Sequence, residues 1–100
     1  MPGWRDKRQP RTKVKVDIAA ENTFSDWIFI RGGFNFSLSG TWSATVHIQR
    51  SFDEGITPLD VEAFTANIEK IGEEPEGAWY RFGVKSGNYT SGPVTGRISQ

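Results

Sequence analysis

The chain has 100 residues, no cysteine, one histidine and equal numbers of cations and acids, for zero net charge. That length makes one small domain with a modest core, and the lack of cysteine excludes a disulfide framework and any thiolate metal site. No apolar run approaches the roughly 20 residues of a membrane span, and no apolar stretch follows the basic N-terminus as a signal peptide requires. The expectation is therefore a protein without a membrane partner, made and used, or assembled, inside a cell; the sequon at Asn88 then carries no meaning.

The neutral total hides an asymmetry. Residues 1–15 hold Arg5, Lys7, Arg8, Arg11, Lys13 and Lys15 against the single acid Asp6, a net +5, which leaves −5 on the rest. Residues 1–12, "MPGWRDKRQPRT", combine two prolines with many charges and almost no apolar content, the composition of an extended arm that cannot build its own core. Trp4 is the exception. A large aromatic flanked by cations is a common anchor for docking on a partner. The division expected is an arm over 1–12 and a folded domain over 13–100.

From Lys13 onward the hydrophobic period is two. "KVKVDIA" sets Val14, Val16 and Ile18 against Lys13, Lys15 and Asp17, a half-buried strand. "WIFIRGG" reads as a short strand, apolar on both faces or lying at an interface, that stops at its Gly pair. "FNFSLSG" puts Phe34, Phe36 and Leu38 on one face. The clearest strand runs from Trp42 to Phe52, with Trp42, Ala44, Val46 and Ile48 opposite Ser43, Thr45, His47, Gln49 and Ser51. After it, Leu59, Val61 and Ala63 alternate, with an irregularity expected near Ala66–Asn67. "GEEPEG" reads as a solvated acidic loop, "AWYRFGV" as a strand with Tyr80, Phe82 and Val84 inward, "KSGNYTSGP" as turn-rich, and "VTGRISQ" as a last strand. Seven to eight short strands separated by turn residues predict an all-β fold: a small antiparallel β-sandwich, Ig-like or jelly-roll, with an extended N-terminal arm.

Between two of these strands lies "SFDEGITP". Its spacing, Ser51-x-Asp53-x-Gly55-x-Thr57, resembles the Asp-box turn of sialidases and related propellers, with Pro58 where Trp often stands. A propeller needs at least four blades of roughly 40–45 residues, and this chain carries one copy of the turn. The residues also have local work: an aspartate that accepts backbone N–H bonds, a glycine for positive φ, and two hydroxyls that pin the sides. They are read as a structural turn.

Nothing in the sequence composes a catalytic set. His47 is the only histidine and sits mid-strand, so no base stands beside a nucleophile. Asp53 and Glu54 are neighbours on a turn tip, unlike the carboxylates that flank a glycosidic bond. Glu73, Glu74 and Glu76 lack the spacing of a calcium loop, and no phosphate-binding glycine loop is present. The expectation is a protein that is not an enzyme, with no cofactor and no metal.

Binding has more support. Four Trp and seven Phe exceed what one thin core hides, so some should meet other chains. Trp27 and Trp79 are the candidates for exposed aromatic contacts, and as stacking platforms they would suit a carbohydrate-binding module for host attachment; Trp42 reads better as core. The arm could touch nucleic acid, but without a base-stacking sheet motif an acidic protein neighbour is the preferred partner for Trp4, Arg5, Lys7, Arg8, Arg11, Lys13 and Lys15.

From Phe34 to Gln100 the chain resembles small structural proteins of tailed bacteriophages. The resemblance rests on Ser39–Trp42 (Ser-Gly-Thr-Trp), Gln49–Gly55 (Gln-Arg-Ser-Phe-Asp-x-Gly), Tyr80-Arg81, Tyr89–Gly92 (Tyr-Thr-Ser-Gly) and Arg97–Gln100 (Arg-x-Ser-Gln). It covers about two-thirds of the chain and leaves the arm outside; Thr57-Pro58 departs from its usual Thr-Trp. It implies a non-enzymatic virion protein, a capsid decoration or cement protein, binding other virion proteins and forming a homo-oligomer, with a trimer among the arrangements. A tail or head–tail connector component is the alternative it leaves open.

Overall fold

The computed structural model describes residues 13–100 of the chain. They form seven strands and no helix: β1 (Lys13–Ile18), β2 (Thr23–Phe24), β3 (Ile28–Ser39), β4 (Ser43–Ser51), β5 (Leu59–Phe64), β6 (Ile68–Ser91) and β7 (Val94–Ser99). All pairings are antiparallel. The hydrogen-bonded order is β1-β7-β3-β6-β4-β5, and β2 extends the β3 side of β6.

One sheet makes both layers because its long strands bend. β6 has 24 residues, which would reach about 79 Å if straight, whereas the longest dimension is 52 Å. The first bend lies where Ile30 pairs with Ala78 and Gly32 with Glu74, so that Pro75, Glu76 and Gly77 bulge opposite Arg31. Further register shifts along Ser43–Val46 bend the far end of β6. Such extra residues raise the local twist and turn a strand out of its plane. Beyond the first bend, β1, β7, the second half of β3 and the start of β6 form one layer. The rest of β6, with β2, β4 and β5, forms the other.

The layers meet through inward side chains. Phe36 of the first layer packs against Phe82 and Phe64 of the second at 5.4 Å between centroids, and Phe34 meets Tyr80 at 5.0 Å. Ile18, Ile30, Val46, Phe82, Val84, Val94 and Ile98 have no exposed surface. Fully burying a side chain of this kind contributes about 1.5–3 kcal/mol. At Gly96 of β7 any Cβ would overlap the Phe82 ring, so glycine lets this strand approach closely enough to close the core.

The all-β, sandwich-like fold agrees with the sequence pattern, and so do β1, β4 and the inward Tyr80, Phe82 and Val84. Three details differ. "WIFIRGG" does not stop at its glycines: β3 runs on to Ser39, Gly32 (φ +92°) serving as a bulge partner. It also alternates, with Ile28 and Ile30 buried and Phe29 half exposed. The acidic "GEEPEG" and the turn-rich "KSGNYTS" both lie inside β6, because pairing with β3 and β4 overrides their local turn preference. In β5 the irregularity falls at Val61, between Gln49↔Asp60 and Ile48↔Glu62. That one-residue slip turns Phe64 inward and leaves Ala63 outside, since shifting a period of two by one residue reverses the faces.

Candidate binding surface

The connection from β4 to β5 is a self-bonded turn. The fully buried Ser51 hydroxyl donates to Asp53 Oδ1 at 2.6 Å and accepts from the N–H groups of Asp53 (3.2 Å) and Gly55 (2.9 Å). Asp53 Oδ1 also accepts the Thr57 N–H at 2.8 Å. The hydrogen bonds from Ser51 and then from Thr57 hold the Asp53 carboxyl at about 2, well below its ordinary range. Gly55 has φ +95°, and a Cβ there would lie 2.6 Å from Trp27 Nε1. The turn thus folds back on Trp27, joining two features that lie far apart in sequence.

Trp27 opens a ladder on the outer face. The Arg81 guanidinium lies 4.6 Å from the Trp27 ring and 4.2 Å from the Phe24 ring, between the two. A cation in such a stack is attracted by both ring faces. Arg81 Nε donates to Gln49 Oε1 at 2.8 Å, Gln49 Nε2 to Asp60 Oδ1 at 2.8 Å, and Lys85 Nζ meets Asp60 Oδ2 at 2.5 Å. Burial lowers the Arg81 pKa, and the bonds from Lys85 and then Gln49 lower that of Asp60. Trp79 stands beside this ladder, edge-on to Phe29 at 5.0 Å. Both tryptophans are half-buried. His47 faces outward from β4, half-buried, and its Nδ1 has no partner among the described residues. Trp42 packs against the core with Nε1 bonded to Asn67 Oδ1 at 2.6 Å.

A buried acid lies on the inner side. Glu74, at the start of the β6 bulge, has no exposed surface. Its carboxylate accepts from the Tyr80 hydroxyl (2.8 Å) and the Glu76 N–H (3.2 Å), and pairs with Arg50 Nη2 at 2.5 Å. Burial by itself would raise the Glu74 pKa; the bonds from Tyr80, Glu76 and Arg50 outweigh it, and the net direction is down. Burial and the bond to Glu74 push Tyr80 up to about 12. Among the described residues, no three potential metal-ligating side chains converge.

Among the described residues, four of the six large apolar side chains left exposed belong to the β4–β5 hairpin: Phe52 (53%), Ile56 (82%), Leu59 (46%) and Val61 (52%). Phe52 lies under the Arg50 guanidinium at 4.4 Å. Sequence reading missed this patch, because Phe52, Leu59 and Val61 carry the alternation of strands and read as inward. It also missed the Glu74 pocket, hidden in what reads as a solvated loop.

The arm residues Trp4, Arg5, Lys7, Arg8 and Arg11 lie outside the described residues. Lys13 and Lys15 project from β1 into solvent, at the opposite end of the strand order from the hairpin. The surface so defined is that of an all-β domain with an aromatic–cation outer face and an apolar hairpin. No protein-family model matches the chain, and no curated protein or solved structure matches it.

Proposed function

We propose that the chain is a non-enzymatic structural protein of a bacteriophage virion, a capsid decoration protein that docks on the shell through its β4–β5 hairpin, with its basic arm extending along the shell or a partner subunit. The observation that carries the reading is the hairpin patch. Isolated exposed apolar residues are ordinary on any protein, but four on one hairpin form the kind of surface that marks an interaction site. Among the described residues β5 is also an edge strand, with five of its six residues exposed, and a sheet edge is a template for pairing with another chain. The sequence resemblance supplies the class of assembly.

The motif segments behind that resemblance have structural employment here: Gln49 bonds Arg81, Ser51 and Asp53 build the turn, and Tyr80 holds Glu74. These contacts give the segments a structural role within the fold, without calling on catalysis. The carbohydrate reading draws less from the geometry, since Trp27 already carries Arg81 on its ring and Gly55 against its edge. Copy number in purified particles tests the proposal. Hundreds of copies per particle are expected; six, twelve or a few dozen would place the chain in the tail or neck instead, and absence from the particle would refute the class.

A further inference from the structure

The two layers do not close on one side. β6 pairs with β3 from Ile68 to Glu74, and β4 joins β6 only from Trp79 onward. Among the described residues no ladder joins β5 to β6. The gap is a cavity of about 190 Å³ with Phe34, Ile48, Val61, Phe64 and Tyr80 on its walls. Glu62 and Glu73 stand at its rim with Lys70, whose ammonium is already paired with Glu62 at 2.9 Å. It is an apolar slot with acids at its mouth.

We propose that this slot receives the arm of a second copy of the same chain, with Trp4 as the buried anchor and Arg5 against Glu73. The inference rests on the reading of the chain as a component repeated in an assembly, and it names the partner at one contact. Size, charge and position each support it. A cavity of roughly 150 Å³ takes a benzene ring, so this one, open at its mouth, has room for the six-membered ring of an indole. The first fifteen residues carry +5 and the remainder −5, and the acids Glu62 and Glu73 are exposed at the slot's rim.

Length reaches both the chain's own slot and a neighbour's, and the straighter path favours the neighbour's. Lys13 opens β1 at the far lateral edge of its layer. The row Lys13–Ser99–Asn35–Ile71 crosses that layer from the β1 edge to β6, about 14 Å. The segment from Trp4 to Lys13 reaches at most about 30 Å. To fill its own slot the arm must cross this layer and then turn inward. Copies set side by side along the row bring the basic β1 edge of one against the acidic slot edge of the next, and the arm passes straight across. Such a head-to-tail contact closes into a ring where its rotation divides a full turn and runs on as a filament where it does not.

The test uses two full-length variants, Trp4→Ala, which lacks the anchor, and Val61→Arg, which obstructs the slot from an exposed edge position. Sedimentation equilibrium of the unaltered chain should show concentration-dependent association, weakened by added salt. Each variant alone should associate roughly tenfold or more weakly. Mixed, they should form a one-to-one pair, because one retains the anchor and the other the slot. Glu73→Lys should repeat the Val61→Arg defect without touching the apolar wall. A chain that stays monomeric up to millimolar concentration overturns the inference. So does association that Val61→Arg weakens and Trp4→Ala leaves intact, which would mean direct pairing of β5 edges, and so does a mixture that fails to pair. None of these results changes the number of copies in the particle, so the virion reading stands or falls separately.

Discussion

Asp53 and Glu74 are both carboxylates held by hydrogen bonds, and they could hardly be held more differently. Asp53 is exposed, and all its partners lie within four residues. Glu74 is fully buried, and its partners Arg50 and Tyr80 come from β4 and from the far side of a β-bulge. The first is a local device that fixes how one hairpin turns. The second joins the two halves of a bent strand to its neighbour and exists only after the sheet has formed. A buried acid without partners is far costlier than an exposed one, so the two sites should respond differently to the same kind of damage.

Glu74→Ala should produce the largest effect. It leaves the Tyr80 hydroxyl and the Arg50 guanidinium without their acceptor. Breaking a fully buried pair costs about 3–5 kcal/mol, but Arg50 is about one-third exposed and can turn to water. A loss of about 2–3 kcal/mol in urea unfolding is expected. A loss under about 0.5 kcal/mol, the scale of an ordinary surface site, would mean that the carboxylate contributes nothing to the bend. Next comes Gly55→Ala, where an unfavourable φ and the encounter with Trp27 should together cost about 2 kcal/mol, accompanied by a change in indole fluorescence.

Ser51→Ala should cost about 1–2 kcal/mol, because two backbone N–H groups lose their acceptor while water can still reach the turn. The pH profile separates the sites further. Both carboxyls have folded-state values below their unfolded ones, so their contribution is present above the ordinary carboxylate range and fades as pH falls through the folded values, about 2 for Asp53. Ser51→Ala should shrink the Asp53 part of that acid limb. Tyr80 has the opposite sign: its value is raised to about 12, so its contribution is complete below about pH 10 and is lost as pH rises through the folded value. Tyr80→Phe should flatten that alkaline limb and leave the acid limb of the turn alone. The smallest effect belongs to Lys85→Ala. Its exposed pair with Asp60 should be worth about 0.5 kcal/mol or less, and a larger loss would show that the outer-face chain from Arg81 to Lys85 acts as one unit.

The same contrast explains what the sequence disclosed. The turn was legible because its chemistry is written in seven consecutive residues, Ser51 to Thr57. β1 and β4 were legible because their alternation reports a sheet with one wet face. Glu74 was not, since Pro75 and Gly77 beside it announce a loop, and only the pairing of Gly32 with Glu74 makes that segment a strand. The inward parity of Gly72, Glu74, Ala78 and Tyr80 becomes visible once the three-residue bulge is known. Trp27 was singled out as an exposed contact, and its burial against Gly55 and Arg81 depends on β2 and β3 lying beside β6. The hairpin patch was hidden for a related reason. Val61 sits at a slip in register, and alternation alone cannot show where a strand changes face.

The proposal that the chain decorates a virion shell meets its most direct test in electron cryo-microscopy of the purified particle. The expected result is the β-sandwich at regularly repeated positions on the capsid surface, with Phe52, Ile56 and Leu59 buried against the shell. Density that places the domain elsewhere, or that leaves this hairpin facing solvent on every copy, would contradict it.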